Sequence, residues 1–473
     1  MSISAFRLSL DEGVVTRAPN QPLPVAKPGK KPLSTAAYAL AMRRSLIHGF
    51  DETSYRQPVT IRRIPGLTIT LVNSPDGIRH VAVENAGNYI KSPITLPLVG
   101  LALGDGLVTS EGAPWRHDRK LMAPSFEARV VSSYAPHVTD ALRRSVGRLS
   151  EAARAGRCVH LKAEMMALTL DIISASMFSG DGARLGPTMD AASRRYQNEI
   201  SLHPAILIPG VRKVWWKIKQ GRARTILREL DEQMFSLIRE RRKRNDAAAA
   251  SADLLDRLLS ARDETGGMSD KLIRDQMVTI FVAGHETTAL ALMWSLLLLA
   301  AHPAALKRAQ DEVASVLQGA APNYGHIKDL VCLRNVFQEA LRLYPPAHSM
   351  AWRTPLRDDV IDGTPVKAGS IVAIIPWVVH RHHLYWDNPD CFDPDRFLQA
   401  RSKERSRHSY IPFGAGARVC IGAAFAMMAG IMSLAGLLQG FAFKPLRFDG
   451  LEPLGLITLH PAEEPIVTVL PRT

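Results

Sequence analysis

Cys420 sits in the segment Phe413-Gly414-Ala415-Gly416-Ala417-Arg418-Val419-Cys420-Ile421-Gly422, directly ahead of a helical run of small residues from Ala423 to Leu438. Backbone N–H groups at a helix start point at a sulfur placed there and favour its ionised form, and a thiolate is a strong iron ligand. Gly414 and Gly416 suit a tight bulge beside a flat group, and Arg418 offers a guanidinium to a carboxylate on that group. Two plainer readings compete. A free buried cysteine is common and inert. A dinucleotide-binding loop is disfavoured, because the spacing from Gly416 to Gly422 does not match GxGxxG and no βαβ unit surrounds it. A second polar cluster, Gly284-His285-Glu286-Thr287-Thr288, interrupts an otherwise apolar helix. Its threonines could simply bond backbone carbonyls. Alternatively, a carboxylate beside a hydroxyl could pass protons from solvent to a buried centre, with Gly284 leaving room for something bulky.

These groups need long, fixed elements to hold them. Ser269-Asp270 reads as the N-cap of a helix that runs to about Ala301 and is stopped by His302-Pro303. At about 1.5 Å per residue it is roughly 48 Å long, enough to cross a whole domain. Its charge-free half, Ala289 to Ala301, is too short to span a bilayer, and the polar cluster lies mid-helix, so a transmembrane reading is disfavoured. Thr35 to His48 reads as the first helix, Ile61 to Asn73 as a strand hairpin around Pro65-Gly66, and Ser74-Pro75-Asp76 as another helix start. Residues 111 to 345 read as mostly helical, with breaks at Gly186, Pro209-Gly210, Gly266-Gly267 and Pro303. Strands return after Pro346, as at Ile371 to Ile375. The expected fold class is mainly α with small β-sheets: an exposed Pro- and Lys-rich lead-in over 1–34, then one large domain over 35–473, with no internal repeat.

Composition bounds the setting. Of 473 residues 46% are hydrophobic and 22% charged, ordinary for a soluble globular chain. Met1 to Leu10 is too short and polar to cross a bilayer, so no transmembrane anchor is expected. Cys158, Cys332, Cys391 and Cys420 form no CxxC pair, which argues against a disulfide framework and for a cytoplasmic location. The net charge of +14 fits an acidic partner. The basic run Arg239 to Arg244 closes a helix, where the dipole explains it, so no nucleic acid is expected. His380, His382 and His383 suggest a second metal less than a structural use.

The cysteine segment matches FxxGxRxCxG at every fixed position and resembles the heme-binding loop of the cytochrome P-450 family, of the soluble bacterial type. The resemblance implies heme b (iron protoporphyrin IX) as cofactor and Cys420 as its proximal ligand, a thiolate that favours O–O cleavage. Phe413, Arg418 and Gly422 then contact the cofactor. Ala283 to Thr288 resembles the family's AGxET segment, which makes Glu286 and Thr287 the acid–alcohol pair of proton delivery. Glu339-Ala340-Leu341-Arg342 resembles its ExxR helix, with Arg396 as third member of the lock; taken alone, such a pair is a surface ion pair contributing under about 0.5 kcal/mol. Trp115 to Arg119 resembles WxxxR, so Trp115, Arg119, Arg353 and Arg418 are implied partners of the propionates. The implied activity is monooxygenation, insertion of one atom of O2 into a C–H bond of a hydrophobic small molecule such as a fatty acid, terpenoid or steroid. No reductase domain is left over, so a separate ferredoxin or flavodoxin type redox partner is implied, and the protein is expected to be a monomer. The family lines its distal pocket from segments matching Ala86 to Asp105, Phe281, Ala283, Ser349-Met350 and Leu456-Ile457. Leu202 to Trp216 reads as a pocket lid ahead of a membrane contact. The rival activities are a heme-thiolate peroxygenase or isomerase, which Glu286-Thr287 argues against, and a non-enzymatic heme sensor.

Overall fold

The computed structural model describes the chain apart from residues 1–24, 27, 31, 65, 94–95, 200–208, 245–252, 265, 350 and 473. The segment 202–216 expected to form a lid therefore falls largely outside the described residues. Helix Asp270–Ala301 is the axis of the molecule. Ser269 caps it, its Oγ accepting from Leu272 N–H at 3.2 Å. His302 leaves the helical conformation at the far end, and Pro303 opens the next helix, Pro303–Leu317. Every residue from Ala289 to Leu299 is buried, and each leucine so enclosed contributes about 1.5–3 kcal/mol relative to exposure. This helix and Ala423–Gly440 are apolar and long enough to cross a membrane, yet 78% and 67% of their apolar windows are buried inside the protein. They are core helices, apolar all round because protein covers them all round.

Two hydrophobic cores divide the axis between them. One joins its C-terminal half to helices Ala135–Arg154, Val331–Leu343 and Ala423–Gly440, with Trp294 stacked on Tyr344 at 4.1 Å. The other joins its N-terminal half to helices Gly182–Glu199 and Pro209–Arg244. Phe281 belongs to the second core and Ala289 to the first, so the polar stretch from Gly284 to Thr288 falls at the seam.

The main sheet runs in the order Val59–Ile64, Leu67–Val72, Ile371–Ile374, Ala351–Pro355, Tyr89–Lys91. Ile371–Ile374 is buried throughout, as a strand flanked on both edges should be. The outermost pairing sets Lys91 directly opposite Arg353. A separate hairpin, Pro453–Gly455 with Leu459–Pro461, returns the C-terminal chain to the axis, where the Trp294 indole donates to Leu459 O at 3.3 Å.

Three expectations from the sequence change. Gly186 does not break a helix: Gly182–Glu199 continues through Pro187, because Leu185, Met189, Ala192 and Tyr196 are all anchored in the second core and burial outweighs the backbone bond a proline forgoes. The first helix stops at Arg44 instead of His48, since Ser45 turns extended and its Oγ accepts from Gly455 N–H at 2.8 Å. In the lead-in expected to be exposed, Ala26 is buried and Val25 packs on the first core. The basic run at the end of Pro209–Arg244 is used inward: Arg241 binds Asp181, Asp253 and Asp256, and Arg242 binds Asp270.

The pair Glu339–Arg342 is fully buried, not a surface pair. Two parallel bonds of 2.7 Å join the guanidinium to the carboxylate. The remaining arginine protons go to the carbonyls of His380, Pro389 and Cys391 at 2.6–3.0 Å. Glu339 Oε1 also accepts Asp393 N–H at 2.9 Å and lies 3.4 Å from Arg396 Nε. Tyr410 donates to Gln338 O at 2.9 Å, and Ile411 N–H donates to His380 Nε2 at 2.9 Å. The chain from 389 to 411 is thereby tied to helix Val331–Leu343 just before it reaches Phe413. His380 is a neutral acceptor, held well below its ordinary pKa by burial and by Arg342 and Arg381. His380 accepts from Ile411 N–H and His382 Nε2 lies 3.1 Å from Gln57 O; among the described residues no group of three or more His, Cys, Asp or Glu side chains is placed to hold a metal ion.

Truncating one partner of a buried pair strands the other charge. Arg342→Ala should destabilise the protein by about 3–5 kcal/mol, read by urea unfolding, whereas a loss below about 1 kcal/mol, the range of a surface pair, would show that the network does not hold this segment.

Candidate functional site

Cys420 closes its loop by donating its N–H to Phe413 O at 2.8 Å. Gly414 and Gly416 take φ of +81° and +68°. A Cβ on Gly416 would lie 1.9 Å from the carbonyl oxygen of Ala82, so this glycine is required by neighbouring backbone as well as by the turn. A Cβ on Gly284 would meet Ile173 Cδ1 at 3.2 Å, on helix Leu161–Phe178.

Enclosure by neighbouring protein pushes the Cys420 thiol up, against the Gly422 N–H and the Arg119 charge, which pull it down, although the residue keeps accessible surface. The thiolate form belongs to a metal-loaded site, because a bound cation deprotonates a coordinating thiol outright. Space for such a group exists. Cys420 and Ala424 are accessible, as is Ala283 on the axial helix, while Ile421 and Phe425 beside them pack on the core that contains Phe281. An opening therefore lies between the cysteine loop and the axis.

Its rim carries an excess of positive charge. Arg418 stacks 3.9 Å above the buried Trp115 ring, donates to Ser110 O at 3.0 Å and binds Glu111 Oε2 at 2.5 Å. Arg353 Nη1 and Lys91 Nζ lie 3.7 and 3.8 Å from Glu111 Oε1. Arg119, half-buried, has no carboxylate partner among the described residues. Two guanidiniums and an ammonium thus share one carboxylate, and the sheet register that pairs Lys91 with Arg353 puts two like charges face to face, an unfavourable arrangement unless an anion lies between. Burial and Arg418 push the Lys91 ammonium down to about 7, with Glu111 opposing and Arg353 adding to the fall. Burial, opposed by Glu111, brings Arg418 down to about 10.

The polar seam of the axial helix behaves differently at its two members. Thr287 Oγ1 donates to Ala283 O at 2.6 Å, which is the backbone-satisfying role open to any helical threonine. Glu286 reaches outward: its Oε1 lies 3.0 Å from His460 Nε2 and its Oε2 accepts from Gln197 Nε2 at 2.9 Å. Burial raises its pKa, yet the bonds and charge of His460, with Gln197 and Thr458, hold it below the usual carboxylate range. Next to this seam lies a cavity of about 280 Å³. Val278, Phe281, Val282, Leu103, Leu456 and Ile457 make most of its wall apolar, and Ser193, Tyr196 and Gln197 supply polar groups.

Residues 32–460 match the family model described as Cytochrome P450, written here cytochrome P-450. The chain belongs to the cytochrome P-450 family. It is 33% identical to cyclooctatin synthase of Streptomyces melanosporofaciens, over 90% of this chain and 91% of that protein. It is 32% identical to cyclooctat-9-en-7-ol 5-monooxygenase of the same organism, over 73% and 74%. A crystal structure of a cytochrome P-450 heme domain superposes with a TM-score of 0.77 at 27% identity, covering 96% of this chain and 98% of that one. The protein is a heme-dependent monooxygenase, and heme b is its cofactor. The residues present fit that group: one accessible thiol across an opening from the axial helix, and an unbalanced cation cluster able to take two propionate carboxylates.

The structure brings Trp115, Arg353 and Arg418 together around Glu111 and sets Arg119 within the field of Cys420. Lys91, Glu111, Gln197 and His460 were not singled out in the sequence. Lys91 is brought to Arg353 by strand register and Glu111 by ion pairs with Arg353 and Arg418, while the second pair reaches Glu286 across 89 and 174 residues (286 − 197; 460 − 286), so no local spacing could have announced them.

Lys91 gives a pH test. Its native pKa of about 7 lies below the ordinary 10.5, so between those values the unfolded chain binds a proton that the native chain does not, and stability rises with pH. The stability of the heme-free wild type relative to Lys91→Met should therefore climb from pH 7 to about 10 in urea unfolding. A flat difference would mean that the ammonium is not crowded.

Proposed function

We propose that this cytochrome P-450 hydroxylates a compact, largely hydrocarbon molecule, a terpenoid ahead of a fatty acid or steroid, with electrons from a ferredoxin or flavodoxin type partner. The observation that carries the substrate class is the cavity beside the axial helix. Its wall is mostly apolar and includes Lys91 and Arg353 at the end shared with the cofactor, so the space left to a substrate favours a folded or ring-bearing hydrocarbon skeleton over a long chain. Relatives that include a monooxygenase named for cyclooctat-9-en-7-ol support the same choice.

In this reading Cys420 is the axial thiolate. Trp115, Arg119, Arg353 and Arg418 hold the propionates, with Lys91 as a further cation, and Phe413 and Gly422 shape the loop around the sulfur. When bound, heme supplies the activation of O2 and the insertion of one oxygen atom into a C–H bond, the other leaving as water. The apolar wall excludes water and positions the C–H bond. Glu286 and Thr287 deliver protons, with the Thr287 hydroxyl released from Ala283 O to point into the site. The net charge of +14 suits a small acidic electron carrier, and four unpaired cysteines suit a reducing cytoplasm.

Heme absorption tests both parts. The reduced wild type should give the red-shifted carbon monoxide band of a thiolate-bound heme and Cys420→Ala should lose it; a variant that kept the band would remove Cys420 from the iron. Limonene should displace the iron-bound water, with the accompanying spectral shift, at lower concentration than dodecanoic acid; the opposite ranking would overturn the compact-substrate reading. Thr287→Ala should lower product formed per electron roughly 10- to 100-fold and release peroxide instead, whereas unchanged coupling would remove Thr287 from proton delivery.

A further inference from the structure

The C-terminal hairpin serves the site twice. Leu456 and Ile457 at its turn line the cavity, and His460, just beyond them, meets Glu286. We propose that His460 is the proton donor that reloads Glu286 from solvent during turnover; this rests on the reading of Glu286 as the acid of oxygen activation.

The geometry supplies a short relay. His460 Nε2 is 3.0 Å from Glu286 Oε1 and 2.8 Å from Thr458 Oγ1. The histidine side chain is 20% exposed and the carboxylate 10%, so the imidazole is the member nearer to water. Among the described residues no other titratable neighbour has both reach and access. His285 is 4% exposed and bonded through Nε2 to Met166 O at 3.0 Å, and burial pulls its pKa down. His348 is fully buried on Leu456 O, and burial brings it down to about 4. From helix Gly182–Glu199 the carboxylate faces Gln197, which does not titrate, while Asp190 is paired with Arg194. The bonds from His460, Gln197 and Thr458 hold Glu286 below its ordinary range in spite of burial, so the carboxylate stays ionised until a proton is handed to it.

Each hydroxylation consumes O2, two electrons and two protons to give the alcohol and water. In the relay, solvent water protonates the imidazole; the Nε2–H bond then breaks as an O–H bond forms on Glu286 Oε1. Both partners are neutral after the transfer, which removes the attraction that keeps the side chain outward. The carboxyl group turns toward Thr287. Its O–H bond breaks as one forms on the Thr287 hydroxyl oxygen, that hydroxyl passes its own proton to the oxygen being reduced to water, and the group returns as carboxylate. Gln197 belongs to the cavity wall as well, so it holds the second carboxylate oxygen in place during loading without carrying a proton itself.

The test compares the holoenzymes of wild type, His460→Gln, His460→Phe and Glu286→Gln, each driven by a surrogate ferredoxin and reductase with limonene as probe. His460→Gln can hydrogen-bond Glu286 but cannot shuttle a proton, and its O2-driven rate should fall roughly 10- to 100-fold with a larger solvent deuterium isotope effect and unchanged KM. Driven by hydrogen peroxide, in which oxygen arrives already reduced and protonated, the same variant should match wild type. Infrared spectra read the contact without turnover: the protonated-carboxyl band that disappears in Glu286→Gln should persist to higher pH in His460→Phe than in wild type. Wild-type rate, isotope effect and titration in the histidine variants would overturn the relay. If Glu286→Gln slows while they do not, the acid stands and its donor is elsewhere; if Glu286→Gln is also unimpaired, the acid itself is misassigned.

Discussion

The buried ion pair between Glu339 and Arg342 is the constraint on which the site depends. A guanidinium at zero exposure is tolerable only because every proton it can offer is accepted, by the carboxylate and by the carbonyls of His380, Pro389 and Cys391. Those acceptors lie on the stretch that leads into the cysteine loop, so satisfying one charge fixes the path of otherwise irregular chain. Such chain has little regular backbone bonding of its own, and without the arginine its ties reduce to scattered turns, Tyr410, His380 and the contacts of Asp393, Asp395 and Arg396 with Glu339 and Arg308. The pair is better understood as a clamp that specifies a conformation than as a source of net stability, since desolvating two charges cancels much of what their attraction returns.

The cation cluster at the opposite rim follows the reverse logic. Lys91, Arg353 and Arg418 are gathered around Glu111, Arg119 has no carboxylate partner among the described residues, and the native state accepts the resulting repulsion. That cost is recovered when a dianionic ligand binds, so heme affinity and folding stability are linked: whatever binds only the native state stabilises it by mass action. Glu111 is the internal counterion that keeps the arginines aimed while the anion is away, and the Trp115 ring holds Arg418 by its face instead of by a second carboxylate.

Legibility in the sequence followed the range of the interaction. Caps at Ser269 and Pro303, the strand pair around Gly66 and the buried axial helix were readable because each rests on neighbours within a few residues. The loop motif and the ExxR pair were readable as a resemblance, although the spacing of Glu339 and Arg342 alone fits a surface pair equally well; burial made the difference, and burial is not written in two positions. The reasons assigned to Gly284 and Gly416 were incomplete for the same cause, since Ile173 and the Ala82 carbonyl come from distant segments. Lys91 and His460 had no signal at all.

The position of the polar seam explains why the chemistry sits where it does. A continuous core along helix Asp270–Ala301 would be more stable, and the helix is apolar enough to build one. Instead the core is split between Phe281 and Ala289, and the gap holds Glu286, whose burial is tolerable only because it accepts hydrogen bonds from two other segments, Gln197 on one helix and Thr458 with His460 on the C-terminal hairpin. An ionised group in that position cannot be satisfied by its own helix, so it must recruit partners from the surface, and each partner is a connection between solvent and the interior. The break in the hydrophobic core and the route for protons are therefore the same feature. Filling the seam with apolar side chains would improve packing and close the only polar path that the described residues provide from His460 to the axial helix.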